Sequence, residues 1–225
     1  MADAQAREKI LGAFLTLLSE KRFERIELSE VAQLANVSLA DLRGEFGSTF
    51  DMVSAFFRET DKKVLSGGEQ LKLDPEMPDQ SARDRLFEVL MRCFEALSPY
   101  REAIRSLYRS ARTNPRLAMA LNKLAVRSQQ WMLSSAGVGS SGMIGGMRAQ
   151  ALAGFFAKAT QTWLDDEDPG LARTMASLDR QLETAERLAG FAREMCRFIP
   201  RCAPRRRSTV NDDPFPADPN APVAV

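Results

Sequence analysis

Apolar residues recur at every third or fourth position along most of this chain. The period-two alternation of a half-buried strand is nearly absent. That pattern predicts an all-α fold. Ile10, Phe14, Leu17 and Leu18 line one face of a first helix, about residues 4–21. LSEVAQLA gives a short second helix, and Ser38 begins a third. Ser48 with Asp51 resembles a capping box opening a fourth helix. Its stripe is Met52, Val53, Phe56, Phe57 and Val64, and Gly67 with Gly68 is expected to end it.

Residues 69–80, with Pro75 and Pro78, read as a linker. Ser81 and Asp84 repeat the capping pattern ahead of Leu86, Phe87, Leu90, Met91 and Phe94. Ser98-Pro99 and Asn114-Pro115 each place a cap and a first-turn proline before a helix. GVGSSGMIGG, 137–146, reads as a flexible loop. A long helix follows, with Leu152, Phe155, Phe156, Ala159 and Trp163 on its apolar face. Asp168-Pro169 opens the last one, in which Leu171, Met175, Leu178, Leu182, Ala185, Ala189, Ala192 and Met195 keep steps of three or four. Pro200 stops it, and the proline-rich residues 201–225 read as a disordered tail.

Composition narrows the chemistry. The 225 residues are 44% hydrophobic and 27% charged, which is ordinary for a globular chain. There is no histidine, which removes Ser-His and Cys-His nucleophile pairs and the usual general base. No catalytic constellation remains, and neither enzyme activity nor a cofactor is expected. Cys93, Cys196 and Cys202 have no metal spacing and read as reduced thiols of a cytoplasmic protein. No apolar run reaches the roughly 18 to 20 residues of a membrane span, and the start has no signal-peptide core.

The stretch VAQLANVSLADLRGEF, 31–46, carries the functional signal. Val31, Leu34 and Ala35 can pack inward from the second helix, with Val37 under the turn. Leu42 and Phe46 anchor the third helix and leave Leu39, Ala40, Arg43 and Gly44 facing out. A short helix held this way can lay its first turns in the major groove. An αα-hairpin inside any helical bundle has the same periodicity.

Residues 7–65 resemble the N-terminal domain of the TetR family of transcriptional regulators, over about a quarter of the chain. The match rests on Phe23, LSEVAQLANVS and LADLRGEFGSTFDMV, with Val31-Ala32, Ala35, Val37-Ser38, Leu42, Phe46 and Ser48 in place. Asn36 stands where the family usually has Gly. Ala40 and Asp41 replace a small-hydroxyl pair, Arg43 an aromatic, and Thr49 a lysine. The resemblance implies a helix-turn-helix motif over 27–46 in a DNA-binding domain of residues 1–66. Arg43, Ser48 and Thr49 would meet phosphate. Ser38 would open the reading helix, with Leu39, Ala40 and Asp41 toward base edges and Gly44 exposed beside them. Residues 1–64 hold nine basic and eleven acidic residues, a net −2, so their nonspecific DNA affinity is expected to be poor. Asp41 remains usable, since a carboxylate accepts from cytosine N4. Glu45 is placed on the exposed face.

The resemblance also implies a ligand-binding and dimerisation domain over 67–200. The two last long helices would pair with a second copy, setting two reading helices roughly 34 Å apart on a near-palindromic operator. A small apolar or aromatic ligand would change that spacing through a coupling of about 1–3 kcal/mol. Its pocket would be lined by Phe87, Met91, Phe94, Leu107, Tyr108, Leu121, Leu124, Trp131, Phe155 and Trp163, with Tyr108 or Arg105 as polar handle; plain core is the other reading of each. The segment WLDDEDPGLARTMASLDRQL is also similar to ubiquinone-biosynthesis lipid-binding proteins of the same fold that do not read DNA. GVGSSG lacks the strand a dinucleotide loop needs. DDED, 165–168, diverges around a helix end, so no metal is expected and Asp168 reads as a cap. Arg205–Arg207 read as part of a solvated tail, with phosphate or anionic lipid as the other possibility.

Overall fold

The computed structural model describes the backbone of residues 2–71 and 81–198 and the side chains of residues 5–67 and 81–187. Most of the linker, the tail, Pro200, Cys202 and the side chains of Ala189, Ala192, Met195 and Cys196 lie outside the described residues. Residues 1–186 form one compact unit. From Arg187 the chain belongs to a second unit, of which the helical backbone to Phe198 is described.

Among the described residues every regular element is helical. In chain order they are α1 (Ala2–Glu20), α2 (Leu28–Ala35), α3 (Leu39–Glu45), α4 (Thr49–Leu71), α5 (Ala82–Leu97), α6 (Arg101–Thr113), α7 (Pro115–Ser135), α8 (Gly142–Leu164) and α9 (Ala172–Phe198). Single 3-10 turns at Phe23–Arg25 and Ser98–Tyr100 complete them. α1 packs on α2, α4 and α6, while α7 lies against α4, α5, α6 and α8. One apolar core runs through the unit, from Ile10, Phe14 and Leu18 through Met52 and Leu90 to Trp163 and Leu178.

Local chemistry sets most boundaries. Glu27 and Glu30 form a reciprocal capping box at the start of α2. Ser81 Oγ accepts from the Asp84 N–H, and Asn114 Oδ1 from the Leu117 N–H ahead of Pro115. Several boundaries differ from the sequence reading. α4 continues through Gly67 to Leu71 because Gly67 keeps a negative φ there, where a terminating glycine takes a left-handed one. Ser98-Pro99 opens a 3-10 turn that runs straight into α6, whose start has no side-chain cap. The loop after α7 is shorter than 137–146, since α8 begins at Gly142 and Gly145 is buried in it. A Cβ on Gly145 would sit 2.1 Å from the Ser140 carbonyl carbon, so that glycine permits a close backbone approach.

The acidic run after α8 builds a turn. Asp166 is 1% exposed and accepts from Thr174 N–H (2.8 Å), Thr174 Oγ1 (2.7 Å) and Asp168 N–H (3.3 Å). Burial pushes its pKa up, but the hydrogen bonds from Thr174 and Asp168 outweigh that and hold it below the ordinary value. Asp168 accepts from Gly170 N–H and Ala172 N–H, so it caps as expected, though α9 starts only at Ala172. Arg101 donates to the Asp166 carbonyl (2.7 Å) and stacks over Trp163 (4.8 Å).

Candidate nucleic-acid interface

α2, the turn and α3 have the arrangement that the apolar spacing predicts. Val31, Ala32, Ala35, Leu42 and Phe46 are buried, and Val37 packs half-buried against them. Leu34 is not inward but 52% exposed. The inward face of α2 centres on Val31, Ala32 and Ala35, and Leu34 stands about 100° round the helix from that centre. Asn36 ends α2 in the left-handed region (φ 53°, ψ 49°), where Asn is better tolerated than most side chains.

α3 projects its other face outward. Leu39 is 56% exposed, and Ala40, Arg43 and Gly44 are exposed beside it. Ser38 caps α3: its Oγ accepts from the Asp41 N–H at 3.0 Å. The Asp41 carboxylate accepts in return from Ser38 N–H (3.3 Å) and Ser38 Oγ (2.7 Å). Both residues stay exposed, but the carboxylate that would meet a base edge is held to the backbone.

Glu45 differs from the sequence reading, being half-buried. Arg7 on α1 lies 3.6 Å from its carboxylate and donates to its carbonyl at 3.2 Å. The same guanidinium stacks over Phe46, 4.4 Å from the ring centroid. Arg7 thus ties α1 to the end of α3, a role that no spacing signal marks in advance. Lys21 performs a similar tie to Glu30 on α2 at 2.5 Å. That bond, then the Glu27 N–H, lowers the Glu30 pKa.

The next turn gathers the remaining candidates. Ser48 and Thr49 are half-buried at the start of α4, and Ser48 Oγ accepts from the Asp51 N–H at 3.2 Å. Arg43 reaches over Gly47 toward this point and forms no ion pair among the described residues. An exposed guanidinium beside a helix start is chemically suited to phosphate.

The ten residues expected to line a pocket differ in burial. Phe94, Leu107 and Trp163 are buried core; Phe94 stacks on Phe156 (4.8 Å) and tilts against Trp163 (5.6 Å). Phe87, Met91, Tyr108, Leu121 and Leu124 pack half-buried against that core, and Phe155 is half-buried. Trp131 stands apart at 57% exposed. Arg105 is engaged elsewhere, with Asp165 (3.1 Å), Glu102 (3.3 Å) and the Leu164 carbonyl. Among the described residues, Trp163 Nε1 and Gln129 Oε1 are buried and have no hydrogen-bond partner.

No family model and no curated protein matches this chain in sequence. Solved structures do match in fold. A TetR transcriptional regulator from Nitrosomonas europaea ATCC 19718 aligns with TM-score 0.62 and 20% identity, over 80% of this chain and 97% of its own. One from Rhodococcus sp. RHA1 gives 0.56 and 20%, over 82% and 97%. A TetR-family regulator from Streptomyces coelicolor gives 0.55 and 16%, over 88% of both chains. The chain has the all-helical fold of these regulators: a small head of α1–α3 carried by α4 on a larger helical body.

Proposed function

We propose that this protein is a member of the TetR family, a DNA-binding transcriptional regulator in which α3 reads the major groove. The observation that carries this reading is α3 itself. Leu42 and Phe46 anchor it, while Leu39, Ala40, Arg43 and Gly44 face outward. The fold shared with the transcriptional regulators described above supports it. Residues 1–66 then form the reading head and 67–200 the ligand and dimer domain. Leu39 and Ala40 meet bases, and Arg43, Ser48 and Thr49 meet phosphate. Ser38 and Asp41 shape the helix start.

The active form is a homodimer through α8 and α9. Met143, Ile144 and Met147 on α8 are 85%, 66% and 68% exposed, and Met175 on α9 is 41% exposed. A face this apolar supports pairing with a second copy. An apolar or aromatic ligand enters the body among α5–α8 and releases the DNA, making the protein a repressor. The partnerless Trp163 N–H and Gln129 carbonyl supply a donor and an acceptor for it. No described helix is long and apolar enough to cross a membrane, in keeping with a cytoplasmic place of action.

The test is a gel shift with the DNA upstream of the protein's own gene, at low and moderate salt. A salt-sensitive shift that Arg43→Gln weakens is the expected result. A second reading, a lipid- or isoprenoid-binding protein of the same fold, draws on the net −2 of residues 1–64. It requires the opposite outcome: no shift, and lipid found with the purified protein by mass spectrometry.

A further inference from the structure

Residues 103–164 contain eight basic residues and no Asp or Glu, whereas residues 1–64 sum to −2. Part of the basic charge gathers at two adjoining clefts. The first, about 630 Å³, lies between the 3-10 turn after α1 and the α6–α7 junction, and includes Arg22, Glu24, Arg25 and Arg116. The second, about 500 Å³, lies between Phe50 of α4 and one face of α7, and includes Arg116, Lys123 and Arg127. Among the described residues Glu24 is the only acidic side chain lining either cleft. The five cations are exposed, and none pairs with a carboxylate among the described residues.

Their order along the fold matters. Arg116, Lys123 and Arg127 stand seven and four residues apart, on one face of α7 over roughly 16 Å. Phe50 shares the cleft with this face, and farther along Ser128 donates to Asp61 of α4 at 2.5 Å. α4 and α7 therefore run side by side in the same sense. The first turn of α7 sits at the end of α4 that begins beside α3. An open, extended row of exposed cations suits a linear polyanion better than a small anion, which needs donors converging on one point.

We infer that this basic track holds the phosphate backbone of DNA flanking the sequence that α3 reads, supplying the positive charge that residues 1–64 lack. The inference rests on the DNA-binding reading above. The test uses the full chain, a labelled duplex from upstream of its gene and a scrambled duplex of equal length. Binding is followed by fluorescence anisotropy across a salt series. The triple variant R116Q/K123Q/R127Q is expected to bind both duplexes roughly tenfold more weakly. Its plot of log affinity against log salt should flatten by about one unit per lost phosphate contact. R116Q alone, at the residue common to both clefts, should give about a third of that flattening. Unchanged thermal melting establishes that the variants fold. An unchanged slope in the triple variant, with wild type binding and R43Q weakened, overturns the track and leaves the α3 reading standing. Wild type binding neither duplex overturns both. Loss of anilinonaphthalene sulfonate fluorescence in the triple variant, with DNA binding intact, assigns the clefts to a small organic anion and also overturns the track.

Discussion

Asp41 and Glu45 are the side chains that argue most against a nucleic-acid surface on α3, and both are used inside the protein. Asp41 returns the capping bond of Ser38, and Glu45 meets Arg7. The Arg7–Glu45 pair is partly exposed, with side chains 35% and 23% accessible, so its strength is modest. A double-mutant cycle with Arg7→Ala and Glu45→Ala is expected to give a coupling of about 0.5 kcal/mol in urea melts. Asp61 is a different case. Burial raises its pKa from 3.8 to about 6, against the lowering effect of the Ser128 hydroxyl. The folded state holds this proton more tightly than the unfolded chain does. Stability from Asp61 is therefore full below about pH 4 and lost as pH rises through about 6, by up to about 3 kcal/mol. Asp61→Asn keeps an acceptor for Ser128 and should flatten the stability profile between those values in chemical denaturation. Nearby Cys93 is buried and its pKa is pushed up, so it stays a thiol.

At the scale of elements, helix starts with a bonded polar cap were legible, whereas the uncapped starts of α6 and α8 and the end of α4 were not. Ser38, Ser81 and Asn114 each announce a helix because a short polar side chain can reach the free N–H groups of the first turn. Ends depend on backbone angles that composition does not disclose. Gly67 could stop α4 or sit inside it, and only its negative φ decides. Gly145 looked like part of a flexible loop because five glycines crowd 137–146, yet it is a packing residue. The two neighbouring glycines of α8 should respond oppositely to alanine. Gly145→Ala pushes a Cβ into the Ser140 backbone and is expected to cost about 1–3 kcal/mol. Gly146→Ala meets nothing within 4 Å and should add about 0.5–1 kcal/mol, read from thermal melts of both variants. Leu34 shows the same limit inside a well-read element: a two-turn helix has too few residues to mark the edge of its apolar face.

For the whole molecule, the all-helical plan could be read from periodicity, and the head from the order of Val31, Val37, Leu42 and Phe46. The interior could not be divided into pocket and core. Phe94 and Trp163 carry the same apolar signature whether they pack on each other or on a ligand, and Trp131 shows that helical spacing alone misplaces a large side chain. The proposed dimer has a clean probe in Gly154, which is exposed on α8 with nothing within 4 Å of a Cβ placed there. Gly154→Arg should leave the melting curve of the fold in place. It should also convert a dimer to a monomer in sedimentation velocity and weaken operator binding by roughly a hundredfold, since one head loses the effective concentration supplied by the other. α4 is uninterrupted over 23 residues, about 34 Å of stiff rod with the head at its near end. A tilt of about 5° about its far end swings the near end by roughly 3 Å, nearly one base-pair step. A ligand that rocks α4 by so small an angle inside the body would carry the two heads of a dimer out of register with a duplex while leaving each head's own packing untouched.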